Sequence, residues 1–140
     1  MINPNSPRQK IMERIGSEGC YLLSLVRAAE LIDKCRIDAV TVYENALEKG
    51  FIGADCYIHS PAQVMESMVG GTWFVRKESA SYRIKPSDVA ILRFERKTLS
   101  KVWTHFVLAD QDGSVYYDPY GDSRTVGQGQ LVSMRIFTHL

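Results

Sequence analysis

Apolar positions recur every three or four residues through the first half of the chain, then alternate with polar ones in short runs from residue 72 onward. The first pattern predicts four helices. Ser6-Pro7 sets a capping hydroxyl before a first-turn proline and opens a helix to about Ile15, where Gly16 stops it. Leu22, Leu25, Val26, Ala29 and Ile32 mark one face of a second helix over 20–34. A third covers 38–50 and ends at Gly50, a residue type that readily adopts positive φ past a helix C-terminus. Ser60-Pro61 repeats the cap-and-proline signature and starts a fourth, to about Val69, closed by Gly70-Gly71.

The second pattern predicts strands over 72–77, 81–85, 89–95, 101–109, 114–118 and 134–138, each β-branched or aromatic and bounded by turn residues. Helices followed by an antiparallel sheet make an α+β architecture. Residues 121–130, small and polar, read as a mobile loop. Asp112-Gly113 fits the two central positions of a primed hairpin turn, which pairs Gln111 with Ser114, Ala109 with Tyr116 and Val107 with Asp118. In that register His105 shares a face with Asp118 and lies diagonally beside it. A slip of one residue would send the carboxylate to the opposite face.

The 140 residues, 45% hydrophobic and 24% charged, suit one globular domain over 1–140 with a single core. A net charge of +1 supplies no electrostatic reason for nucleic acid or an anionic membrane as partner. Residues 1–5 carry no basic leader, and no segment approaches the roughly 20 apolar residues of a membrane span. A cytoplasmic protein is therefore expected; composition does not set the oligomeric state. Three cysteines without repeating spacing argue against a disulfide framework.

Gly19-Cys20 opens the apolar second helix, where a thiol meets the positive end of the helix dipole and its thiolate is favoured. His105 and Asp118 supply a base and the group that orients it, so Cys20, His105 and Asp118 form a candidate triad. Trp103 and Tyr116 share the expected His105 face and are candidates to line a substrate cleft. Cys56-x-x-His59, even with Cys35, falls short of the four ligands of a structural zinc site, so no metal or other cofactor is expected. Cys35 and Cys56 read as buried, inert thiols.

The ordered set Gly19-Cys20, His105 with its hydrophobic successors, and Asp118-Pro119-Tyr120 resembles the papain-like cysteine peptidase superfamily. Within it, the chain resembles the compact bacterial branch that includes double-glycine-leader (bacteriocin-processing) peptidases. Lys49-Gly50-Phe51-Ile52 and Asp55-Cys56-Tyr57 also resemble segments of proteins encoded by phages and prophages. The resemblance implies a papain-like fold in which Cys20 attacks a carbonyl carbon, His105 moves the proton and Asp118 holds the ring. Members usually carry a glutamine shortly before the cysteine, whose amide helps hold the oxyanion. Here the residue six positions upstream is Arg14 and the nearest preceding glutamine is Gln9, which leaves Gln9 and Ser17 as oxyanion candidates beside the Cys20 N–H. The expected activity is hydrolysis of a peptide or other amide bond, in a peptide or protein substrate, through a thioester. The alternatives are a catalytically inactive binding protein on the same scaffold, phage-encoded and engaging a host factor, and a thiol-dependent acyltransferase.

Overall fold

A computed structural model describes residues 6–140; residues 1–5, read above for a leader, lie outside it. Helix α1 (Pro7–Glu18) starts at Ser6, whose hydroxyl accepts the Gln9 N–H at 3.0 Å. It runs through Gly16, because an interior glycine costs a helix only about 1 kcal/mol relative to alanine and does not by itself break the hydrogen-bond ladder. The stop comes at Gly19, which is also the cap from which α2 (Cys20–Asp33) departs. The Gly19 N–H donates to the Ile15 carbonyl and its own carbonyl accepts the Leu23 N–H, each at 2.8 Å. A β-carbon on Gly19 would stand 2.6 Å from the Ile15 carbonyl oxygen, so two helices joined by one residue require glycine there. Helices α3 (Ala39–Glu48) and α4 (Pro61–Val69) fall where the pattern places them, and α4 is closed by Gly70 at φ 74°.

Strands β1 (Trp73–Ser79), β2 (Asp88–Lys97), β3 (Val102–Ala109), β4 (Val115–Tyr117) and β5 (Gln130–His139) form one antiparallel sheet in the order β1-β5-β2-β3-β4. The protein is α+β, with N-terminal helices packed on a C-terminal antiparallel sheet. The last strand is inserted between β1 and β2, where Phe137 faces Val75 and Ile136 faces Ala90. Neighbouring residues on a strand point to opposite faces, and both Ile136 and Phe137 are fully buried, so the sheet is covered on both sides. Leu22 and Leu25 of α2 join Ile91, Leu108 and Phe137 in the larger core. The opposite face carries Ala90, Leu92, Val107, Met134 and Ile136, packed against Tyr82, Ile84 and Val126.

Two segments differ from expectation. Residues 81–85 are not a strand, because Asp88 claims their polar groups: its Oδ2 accepts the Tyr82 hydroxyl at 2.7 Å and the Lys85 N–H at 2.9 Å. The stretch read as a mobile loop holds a short helix, α5 (Arg124–Gln128), where the Ser123 hydroxyl accepts the Val126 N–H at 3.3 Å. Cys35 is exposed rather than buried, just past the α2 C-terminus, whereas Cys56 is buried. Among the described residues no helix is long and apolar enough to cross a membrane.

Candidate active site

β4 pairs with β3 only at Leu108 and Ala109, so the remaining edge of β3 is left to α2. The Ser24 hydroxyl, one turn into that helix, donates to the Phe106 carbonyl at 3.3 Å. The Phe106 N–H in turn faces the Cys20 sulfur, as do the N–H groups of Tyr21 and Cys20 itself. The thiol therefore sits where the start of α2 meets the backbone of β3, one residue from His105. Burial pushes the Cys20 thiol up, outweighing those three amides, and the Asp118 carboxylate adds to the rise. The helix terminus alone favours the thiolate, but here desolvation disfavours the anion more than the N–H groups stabilise it.

The β3–β4 hairpin reaches the expected register by an unexpected route. Its turn closes through Asp110 N–H to the Ser114 carbonyl at 2.8 Å and Gly113 N–H to the Asp110 carbonyl at 3.0 Å, with Gly113 at φ 88°. Ala109 thus faces Val115, not Tyr116; a bulge between Leu108 and Ala109 absorbs the extra residue, and Leu108 then faces Tyr117. Asp118 follows on the His105 side, and its Oδ1 lies 2.6 Å from His105 Nε2. The same oxygen accepts the Tyr120 N–H at 2.9 Å, so one carboxylate both starts the Asp-Pro turn and holds the ring.

Both partners are shielded from solvent, at 2% and 6% side-chain exposure. Burial works to raise the Asp118 carboxyl, but hydrogen bonds from His105 and the Tyr120 N–H prevail and hold it below the usual carboxylate range. An ionised carboxylate can only accept, so Nε2 carries the hydrogen and, in the neutral ring, Nδ1 is left as a bare acceptor. Nδ1 is buried and has no hydrogen-bond partner. It is the ring nitrogen nearer the backbone, and the adjoining Phe106 N–H meets the Cys20 sulfur. The thiol and Nδ1 do not form a hydrogen bond with each other in this structure.

Tyr120 completes the arrangement; from sequence it stands only as the last residue of the Asp118-Pro119-Tyr120 motif, with no role of its own. Its ring stacks on His105 with centroids 4.5 Å apart, and its hydroxyl donates to the Ser17 carbonyl at 2.7 Å. Its position two residues after an Asp-Pro aspartate was the available signal.

None of the other four expected site residues lines the cleft onto which Cys20 opens. Gln9 is in the first turn of α1, nine residues before its last residue Glu18; at 1.5 Å per residue that is about 13 Å from the end that carries Cys20, beyond the reach of an amide. The Ser17 hydroxyl donates back to the Arg14 carbonyl at 3.2 Å, which occupies its proton. Arg14, at the position where the resemblance places a glutamine, donates to the Ala54 carbonyl at 2.9 Å. Trp103 is engaged by two cations, Lys101 Nζ at 3.9 Å and the Arg96 guanidinium at 5.1 Å from the ring centre. Tyr116, displaced by the bulge, lines a separate cavity of about 320 Å³ with Leu31 and Ile32.

The cleft that Cys20 does open onto has a volume of about 410 Å³ and is lined by Tyr21, Cys56, Tyr57, Phe106 and Arg135 among others. Cys56 sits in its wall at φ 66°, with burial pushing its thiol up to about 11. Among the described residues no three His, Cys, Asp or Glu side chains converge as metal ligands. Compared with known families, residues 5–139 match the one described as "Protein of unknown function, DUF261". No curated protein and no solved structure shows significant similarity to the chain.

Proposed function

The chain belongs to the DUF261 family, and from the surroundings of Cys20 we propose that it is a papain-like cysteine hydrolase that cleaves a peptide or other amide bond through a thioester. The observation that carries this reading is the buried, unpartnered Nδ1 of an imidazole whose other nitrogen is fixed by an ionised aspartate, beside a thiol at a helix N-terminus. A base is useful when one nitrogen is anchored and the other left free to take a proton.

In this reading Cys20 Sγ attacks the carbonyl carbon while Nδ1 of His105 accepts the thiol proton. Asp118 stabilises the resulting imidazolium through the Nε2 hydrogen, and the imidazolium returns the proton to the leaving amine. Water then resolves the thioester, with Nδ1 again as base. In the same reading the Cys20 N–H, at the head of α2, turns from the sulfur to the oxyanion once the thioester's C–S bond forms.

A binding protein on the same scaffold is the second reading. It is favoured by the missing thiol–imidazole hydrogen bond and by the placement of Gln9 and Ser17, which leaves the oxyanion without a side-chain donor from either. Exposure to p-nitrophenyl acetate followed by intact-mass measurement separates the two. The hydrolase acquires one acetyl group on Cys20, and both Cys20→Ala and His105→Gln suppress it. Acetylation that is indifferent to His105→Gln supports the binding protein.

A further inference from the structure

Arg135 lies on the inner strand β5 and lines the cleft beside Cys20, yet among the described residues no carboxylate pairs with it. Its one side-chain hydrogen bond goes to the neutral Ser133 hydroxyl, at 3.0 Å. The strand neighbours add positive charge: Lys77 is directly across on β1, and Arg93, the partner of Ser133 on β2, lies on the diagonal. Arg93 is answered by Glu95 at 3.5 Å, but Arg135 is not. The Tyr21 hydroxyl, also at this cleft, is buried and has no hydrogen-bond partner. Tyr21 and Arg135 flank the same ring, Phe106: Tyr21 stacks on it at 4.5 Å and the guanidinium lies 5.8 Å from its centre. One unsatisfied donor, the Tyr21 hydroxyl, and one half-buried cation without a carboxylate partner thus belong to residues that line the same cleft as Cys20. Buried donors without partners are costly, and a site that binds a matching acceptor removes that cost.

We propose that this cleft takes a carboxylate of the substrate, held between the Arg135 guanidinium and the Tyr21 hydroxyl while the carbonyl to be attacked lies over Cys20. The proposal rests on the hydrolase reading for the role of Cys20, and it names the substrate class: an acidic peptide or acyl amide. Glu18 and Asp55 also line the cleft, but both are exposed, so water and salt screen them more than Arg135. A side-chain carboxylate and a free C-terminal carboxylate offer the same chemistry to the pair.

The test compares alkylation of Cys20 by anionic iodoacetate and neutral iodoacetamide in the full chain, read by peptide mass spectrometry with exposed Cys35 as internal reference. The ratio of the two rates cancels the thiol's own ionisation. At Cys20 it is expected to exceed the Cys35 ratio by about tenfold, the scale of a charge-assisted hydrogen bond, to fall to the Cys35 value in Arg135→Gln, and to survive in Arg135→Lys. Tyr21→Phe lowers it part of the way. N-acetyl-aspartate α-amide and N-acetyl-alanine, offered as competitors, distinguish a side-chain from a C-terminal carboxylate by which one slows iodoacetate. Equal ratios at Cys20 and Cys35, or no protection by either competitor, overturn the carboxylate site and leave the hydrolase reading standing. Should neither reagent label Cys20, the hydrolase reading fails, and the site is decided by the thermal midpoint with the two competitors. A rise in the wild type that is absent in Arg135→Gln supports it, and no rise overturns it.

Discussion

The Tyr120 ring lies nearly parallel to the His105 imidazole, 20° between planes, and its hydroxyl reaches across to the Ser17 carbonyl at the end of α1. One side chain therefore ties the turn after β4 to the α1–α2 junction that carries Cys20, with the imidazole beneath it. Tyr120→Phe keeps the stack and loses one exposed hydrogen bond, so thermal unfolding should report a loss of no more than about 1 kcal/mol and acylation of Cys20 should persist. Tyr120→Ala uncovers the ring, and acylation is expected to slow by at least about tenfold through lost positioning. A wild-type rate in Tyr120→Ala would remove Tyr120 from the site.

Asp118→Asn retains the shape of the residue while replacing the anion that favours the Nε2–H tautomer. Acylation by p-nitrophenyl acetate should fall, by up to about 10⁴ on the precedent of the serine-protease aspartate. Asparagine can still accept the Nε2 hydrogen, which makes a smaller loss compatible with the same role. Unchanged kinetics in a folded Asp118→Asn protein would reduce Asp118 to a turn residue.

Asp88 is a buried carboxylate whose ties reach three segments: Tyr82, the Lys85 N–H, and Thr138 at 3.4 Å, with Arg76 at 4.0 Å. Asp88→Ala strands these donors and is expected to cost about 3 kcal/mol in a urea unfolding series. For both Asp88 and Asp118 burial raises the carboxyl, yet hydrogen bonds prevail and leave it lowered in the folded chain. The unfolded chain then binds more protons as the medium acidifies. Their contribution is full above the unfolded carboxyl value of about 3.9 and drains away as pH falls through the folded values. Urea midpoints should fall as pH drops below about 4, less steeply in Asp118→Asn; a parallel decline in the variant would contradict the shift at Asp118.

Gly19→Ala forces a β-carbon to 2.6 Å from the Ile15 carbonyl oxygen, a backbone atom that cannot swing away. The expected loss is about 1–3 kcal/mol, typical of forced overpacking, together with displacement of Cys20 from its place beside β3. Thermal unfolding reads the first and acylation rate the second. An alanine variant as stable and as reactive as the parent would mean that the junction has slack which the contact distance denies.

The four main helices, most of the strands and the His105–Asp118 pairing are legible in the chain's own pattern. Each depends on information local to a segment or one hairpin: helical spacing, Ser-Pro caps and the two-residue period of a strand. The pairing survived a wrong turn because the hairpin's extra residue was absorbed by a bulge before Tyr117. Local pattern also explains the misses. Residues 81–85 alternate like a strand but answer to Asp88, and the α5 cap is a single serine among small polar residues. Tertiary structure decided what depends on elements far apart in the chain. It slid β5 between β1 and β2 and thereby brought Arg135 to the cleft beside Tyr21 and Cys20. It carried Gln9 away along α1, turned Tyr116 to another cavity, and buried the thiol until desolvation outweighed the helix terminus. Periodicity shows which residues share a face, but only the packing of segments against one another sets how much water each site keeps. Charge state and reach at Cys20 both follow from that water.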